Sequence, residues 1–157
     1  MTSRIISLGG RVSLTGPSGD GSLDLTPEVL ASWSDWAARY RAASGPMASA
    51  TPEALMSASA ALLAIGREMF AWLDAGGWAG GWAQMAGPRS LEIGADADPT
   101  EDQRALLELP WELLADKNGH LAADSMQPYE VWRGARPARP SRSVAAVHGG
   151  VPARRRA

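Results

Sequence analysis

Two Thr-Pro-Glu triplets, Thr26-Pro27-Glu28 and Thr51-Pro52-Glu53, constrain this chain more than any other feature. Each joins a threonine able to cap a helix to a proline whose missing N–H costs nothing at the first helical position. Behind the first, Val29, Leu30, Trp33, Trp36, Ala37 and Tyr40 recur at helical spacing until Gly45-Pro46 closes the helix. Behind the second, Leu55, Met56, Ala60, Leu62, Leu63, Ile65, Met69, Phe70, Trp72 and Leu73 run to Gly76-Gly77, a longer helix apolar enough to be mostly buried. The triplets lie 25 residues apart without further similarity, so they are two uses of one capping solution and not a repeat.

Strand signals stand on either side. Residues 4–14 alternate loosely, and the turn-forming run at 16–21 precedes Ser22-Leu23-Asp24-Leu25, which predicts an N-terminal β-hairpin. The echo Gly77-Trp78 and Gly81-Trp82 puts both indoles on one face if the segment is helical. Paired indoles could stack a base or grip a ligand, but glycine costs a helix about 1 kcal/mol per position. A turn that tucks both rings into the core is the favoured reading. Ser90-Leu91-Glu92-Ile93-Gly94 alternates like a short strand, and residues 96–102 read as an acidic loop. The expected class is α+β: an N-terminal β-hairpin, two to three helices and short mixed strands.

A chain of 157 residues fits one domain with an appended tail. No stretch reaches the roughly 18 uninterrupted apolar residues of a membrane span, and no signal peptide is apparent, so the expected location is cytoplasmic with no membrane partner. There is no cysteine, which removes disulfides, thiolate metal sites and thiol nucleophiles. The net charge of −2 conceals a split: all 17 acidic residues lie at or before Glu130, against 8 basic ones, while the remaining residues carry seven Arg and no acid. That tail reads either as a solvated linker or as an arm for nucleic acid, an anionic membrane or an acidic partner. Scattered Arg and Pro without interleaved aromatics favour the linker.

Familiar catalytic patterns are missing. Gly16-Pro17-Ser18-Gly19 lacks the second glycine spacing of a nucleophile elbow and lies in a turn. No phosphate loop surrounds Lys117, and Gly19-Asp20-Gly21 is too short for a dinucleotide fingerprint. Asp96, Asp98, Glu101 and Asp102 are the densest oxygen ligands, yet they do not match a calcium loop. The expectation is no catalytic, cofactor-binding or metal residue.

The most specific string is Leu109-Pro110-Trp111-Glu112-Leu113-Leu114. Pro110 suits the first turn of a short helix, Trp111 and Leu114 fall three apart on one face, and Asn118-Gly119 turns the chain into strand-like His120-Leu121-Ala122. Both apolar side chains are expected against the long helix, its largest apolar neighbour. Glu108 and Glu112 are spaced as a pair on a solvated helix edge. A strand, this motif, an Asp, an Asn-Gly turn, a second strand and the Arg-bearing Tyr129-Glu130-Val131-Trp132-Arg133 together resemble the approach to the CHAT domain, a caspase-like domain. On this resemblance residues 136–140 are a linker and Ser143-Val144-Ala145-Ala146-Val147 begins the first core strand.

The resemblance implies a bacterial cysteine peptidase of the caspase and separase type, whose His and Cys stand at the ends of adjacent parallel strands downstream of the motif. The carry-over stops there. The chain has no Cys, His120 sits in a turn-to-strand position, and His148 arrives one strand too early. The run from Gly149 into Gly, Pro and Arg has the residue types of a shifted reading frame, so a truncated gene product is one reading. The expected organisation is a hairpin and helix over residues 1–45, the amino-terminal part of an incomplete caspase-like domain over 46–140, and a basic tail over 141–157. Two functions compete: a non-catalytic brace for a protease core, with the downstream segment or a signalling protein as partner, and a free-standing module that binds protein or nucleic acid through its Trp-rich helices and Arg tail. The absence of a nucleic-acid pattern favours a protein partner.

Overall fold

The computed structural model describes residues 1–16, 19–45, 50–127 and 129–135. Three antiparallel strands open the chain: β1 (Thr2–Leu8), β2 (Arg11–Gly16) and β3 (Gly19–Asp24). Helices α1 (Pro27–Ala43), α2 (Pro52–Ala75) and α3 (Trp78–Gln84) follow. Then come β4 (Arg89–Ala95), α4 (Glu101–Glu108), a 3-10 turn (Trp111–Leu113), β5 (Ala115–Asp116), β6 (Gly119–His120), a second 3-10 turn (Leu121–Ala123) and β7 (Tyr129–Ala135). The class is α+β, with a five-stranded mixed sheet of order β3-β2-β1-β4-β7 and a small β5-β6 hairpin. β1, β4 and β7 run parallel to one another. Strands from before and after residue 45 therefore share one sheet.

Helix starts obey the sequence. Thr26 accepts from the Val29 N–H and Thr51 from the Ala54 N–H, with a proline next in each case. Elsewhere the structure corrects three readings. Residues 4–14 are not one run: Gly9 and Gly10, with φ of 57° and 79°, make a two-residue turn between Leu8 and Arg11, so there are two hairpins where one was expected. The acidic loop ends at Thr100, whose side chain and the Gln103 side chain form a reciprocal capping box that starts a fourth helix. The supposed strand at 120–122 closes as a 3-10 turn after His120.

The pleat sorts residues between two faces. Ile5, Val12, Leu14, Leu91 and Ile93 point into the core with Trp33 and Trp36 of α1, Ile65, Met69 and Leu73 of α2, and Leu106 of α4. Trp78 and Trp82 join them, stacked at 4.7 Å; both rings are in the core as expected, but they are carried there by a short helix, α3, and not by a turn. The opposite face carries the rows Thr2, Ser90, Glu130 and Arg4, Glu92, Trp132. Helix α2 contains an 18-residue stretch of mean hydropathy 1.3, long and apolar enough to cross a membrane by length and composition. Its second half supplies the fully buried Ile65, Met69 and Leu73, while Leu55 and Met56 near its start are exposed.

Gly66 sits in the middle of α2 because a Cβ there would overlap the Leu113 carbonyl oxygen. Backbone contact, not helix propensity, chooses the residue. Gly66→Ala is expected to destabilise the fold by about 1–3 kcal/mol through overpacking, although alanine favours helices by about 1 kcal/mol. Gly80→Ala on α3, where an added Cβ meets nothing within 4 Å, is expected to stabilise by up to about 1 kcal/mol. Urea midpoints of the two variants check the opposite signs.

Candidate functional site

The Leu109–Leu114 motif sits where α4, α2 and β7 meet. Leu109 is extended, as a residue before proline prefers, and this ends α4. Glu108 and Glu112 therefore do not share a helix edge. Pro110 stands just before the 3-10 turn and not within a helix's first turn. The turn is closed by the Leu113 N–H to Pro110 O at 2.9 Å and the Leu114 N–H to Trp111 O at 3.2 Å. Leu109, Trp111 and Leu114 are at most 1% exposed, and the Trp111 ring lies 6.4 Å from that of Trp72 on α2. Both Trp111 and Leu114 are buried as predicted, and Trp111 meets the long helix at Trp72.

Polar bonds fix the turn to its neighbours. The Trp111 indole N–H donates to Leu106 O at 2.8 Å, and the Tyr129 hydroxyl donates to Trp111 O at 2.7 Å. Arg133 reaches further: Nε donates to Leu107 O at 2.9 Å and Nη2 to Leu109 O at 3.0 Å, so a guanidinium on β7 satisfies carbonyls at the end of α4. Its other donors grip Glu112 through both carboxylate oxygens, with Nη2 to Oε2 at 2.7 Å. Sequence reasoning missed this role of Arg133; nothing in one sequence pairs position 133 with 112.

The electrostatics follow from the pairing. Hydrogen bonding to Arg133 holds the Glu112 carboxyl below its ordinary range against the effect of partial burial. Glu112 in turn raises Arg133. Burial pushes the Tyr129 phenol up, with the nearby Glu112 charge adding to it. Tyr129 thus stays a neutral donor, which its bond to Trp111 O requires.

Among the described residues no reactive set gathers around the motif. His120 Nδ1 bonds to Leu113 O at 2.8 Å and braces the β5-β6 hairpin on the turn. His148, Ser18, residues 143–147 and the basic tail beyond 140 lie outside the described residues. Asp96 takes a hydrogen bond from Gln103, Asp98 lies 4.0 Å from Arg104, and Glu101 and Asp102 stand in the first turn of α4, so all four acids belong to the α4 region. Among the described residues no group of three or more His, Asp or Glu could hold a metal. The cavity between the β2-β3 hairpin and α3, about 160 Å³, has Asp20 as its only ionisable lining side chain among the described residues.

The arrangement is a clamp, with Arg133 holding β7 onto the motif turn. Because Glu112 is depressed in the folded state, its contribution is present above the ordinary glutamate range and is lost as pH falls through the lowered value. The expected outcome is that Glu112→Gln flattens the acid limb of a stability–pH profile measured by denaturant titration. Arg133→Lys, which keeps the charge but not the planar fork, is expected to cost about 1–3 kcal/mol at neutral pH.

No protein-family model matches the chain, and neither does any curated protein or solved structure.

Proposed function

We propose that this chain is the non-catalytic, amino-terminal part of a CHAT-type caspase-like protease, acting as a brace for the catalytic sheet of intact relatives in the bacterial cytoplasm. One observation carries the reading: Leu109, Trp111 and Leu114 of the motif are buried, the turn is wired to β7, and among the described residues β7 is a parallel strand paired on one side only. A strand fixed so firmly at a sheet's margin is suited to receive another, because no strand among the described residues pairs with its outward backbone groups. With no cysteine in the chain, thiol chemistry on this reading belongs to a downstream catalytic segment, its protein partner. No cofactor enters.

The rival reading, a free-standing module that grips a partner with Trp-rich helices, draws less support. The indoles of Trp33, Trp36, Trp78, Trp82 and Trp111 are buried, and Trp132 on β7 is the large exposed one. Its basic tail remains as an argument, but the first 130 residues carry 8 basic against 17 acidic groups, a poor match to nucleic acid.

The test supplies the missing half. A folded catalytic segment from a CHAT-domain relative, added in trans, is expected to co-elute with this chain, and Arg133→Gln is expected to weaken the complex. A folded segment that never binds would remove the brace reading. Turnover of a peptide library by this chain alone would remove its non-catalytic character.

A further inference from the structure

The two margins of the sheet are built differently. β3 reads Gly-Asp-Gly-Ser-Leu-Asp, with two glycines and two aspartates that weaken strand pairing and repel an incoming strand. β7 reads Tyr-Glu-Val-Trp-Arg-Gly-Ala, pairs with β4 in unbroken register over all seven residues and contains no proline. The usual guards against an added strand are present at one margin and largely missing at the other.

What β7 displays beside its outer edge is chemically specific. On the uncovered face it carries Glu130 and Trp132, and Trp132 is 63% exposed. Shallow hollows flank them, one walled by Thr2, Ser90, Glu92 and Trp132, the other by Met1, Pro88, Arg89, Ser90 and Glu130. Glu130 makes no ion pair among the described residues, and Glu92 lies 3.7 Å from Arg4. Arg133, the other charge on β7, is committed to Glu112 and the α4 carbonyls. The surface next to the edge is therefore an exposed indole with Glu130 on its own strand and the Arg4-paired Glu92 across from it, a setting that attracts a cation over the ring and an ion pair at Glu130.

We propose that the β7 edge is a docking site for an extended protein segment bearing Arg or Lys at alternate positions. The segment adds as a sixth strand, its backbone bonding to β7 and its basic side chains lying on the uncovered face over Trp132 and against Glu130. The proposal rests on the brace reading only in taking β7 as the docking margin, and it adds the charge of the incoming strand. Alternation matters, since successive strand residues point to opposite faces.

Two fluorescein-labelled heptapeptides test it on the full chain: one alternating Arg with Val and Thr, the other with Gln in place of Arg. By fluorescence anisotropy the Arg peptide is expected to bind at least about tenfold more tightly. Glu130→Gln and Trp132→Thr are each expected to weaken it about fivefold, whereas Asp24→Asn on the opposite margin leaves it unchanged. Hydrogen exchange is expected to slow at β7 amides and not at β3. Equal binding of the two peptides overturns the proposal, as does insensitivity to both β7 substitutions. If a relative's catalytic segment still binds in either case, the brace reading stands without it. A dimer seen by sedimentation and dispersed by Trp132→Thr would assign the edge to a second copy of the chain, again overturning the proposal. Circular dichroism establishes that both variants are folded, as the exposure of Glu130 and Trp132 leads one to expect.

Discussion

One guanidinium ties three elements together at the carboxyl-terminal side of the described fold. Arg133 lies on β7, bonds to carbonyls at the end of α4 and holds the carboxylate of the turn between them. The pair with Glu112 is half-exposed, with side chains 33% and 55% accessible, so its Coulombic share is limited to about 1 kcal/mol or less by solvent screening. The bonds to the carbonyls of Leu107 and Leu109, the latter shared with the Trp111 N–H, weigh more, about 1.5–3 kcal/mol for a charged donor. Trp111 outweighs both, since removing a fully buried indole typically costs about 3–5 kcal/mol. The clamp sets geometry; the indole supplies most of the stability.

The helical layer repeats that division of labour. The Trp72 ring stands 5.5 Å from Trp33 and 6.1 Å from Trp36, linking α1 to α2 through apolar contact. At the rim Glu68 accepts from the Trp36 indole at 2.8 Å and from both terminal nitrogens of Arg39, while Asp35 holds Arg39 from the same helix. Hydrogen bonding to Arg39 depresses the Glu68 carboxyl. In each layer aromatic burial provides the adhesion and an Arg–Glu fork selects the orientation.

Local patterns made much of this legible in advance. The Thr-Pro starts, the helical spacing behind them and the strand at 90–94 depend on neighbours within a few positions, and they appear where the pattern puts them. The burial of Trp111 and Leu114 could be read from one apolar face and one large partner. The fourth helix also had a local signal, Thr100 with Gln103 three residues on, which the surrounding acids obscured. Other features were out of reach because they join distant positions. Gly66 looks like a helix weakness until the Leu113 carbonyl is placed against it, and Arg133 looks like a surface charge until α4 is brought beneath it. The parallel pairing of β1 with β4 likewise leaves no mark in either strand alone.

That pairing has a consequence for how the chain is made. β1 lies between β2 and β4, and its Thr2 pairs with Ser90, so half of its backbone bonds must wait for a segment made much later. At about 5–20 residues per second, roughly 5–20 s of synthesis separate the two. During that interval the β1-β2-β3 meander can form by itself, because its turns are short, but the β4 side of β1 stays an open template. Ile6 and Ser7 on that strand thus pass through a period of exposure that the finished molecule does not reveal, and the order of synthesis makes the interior strand a temporary margin.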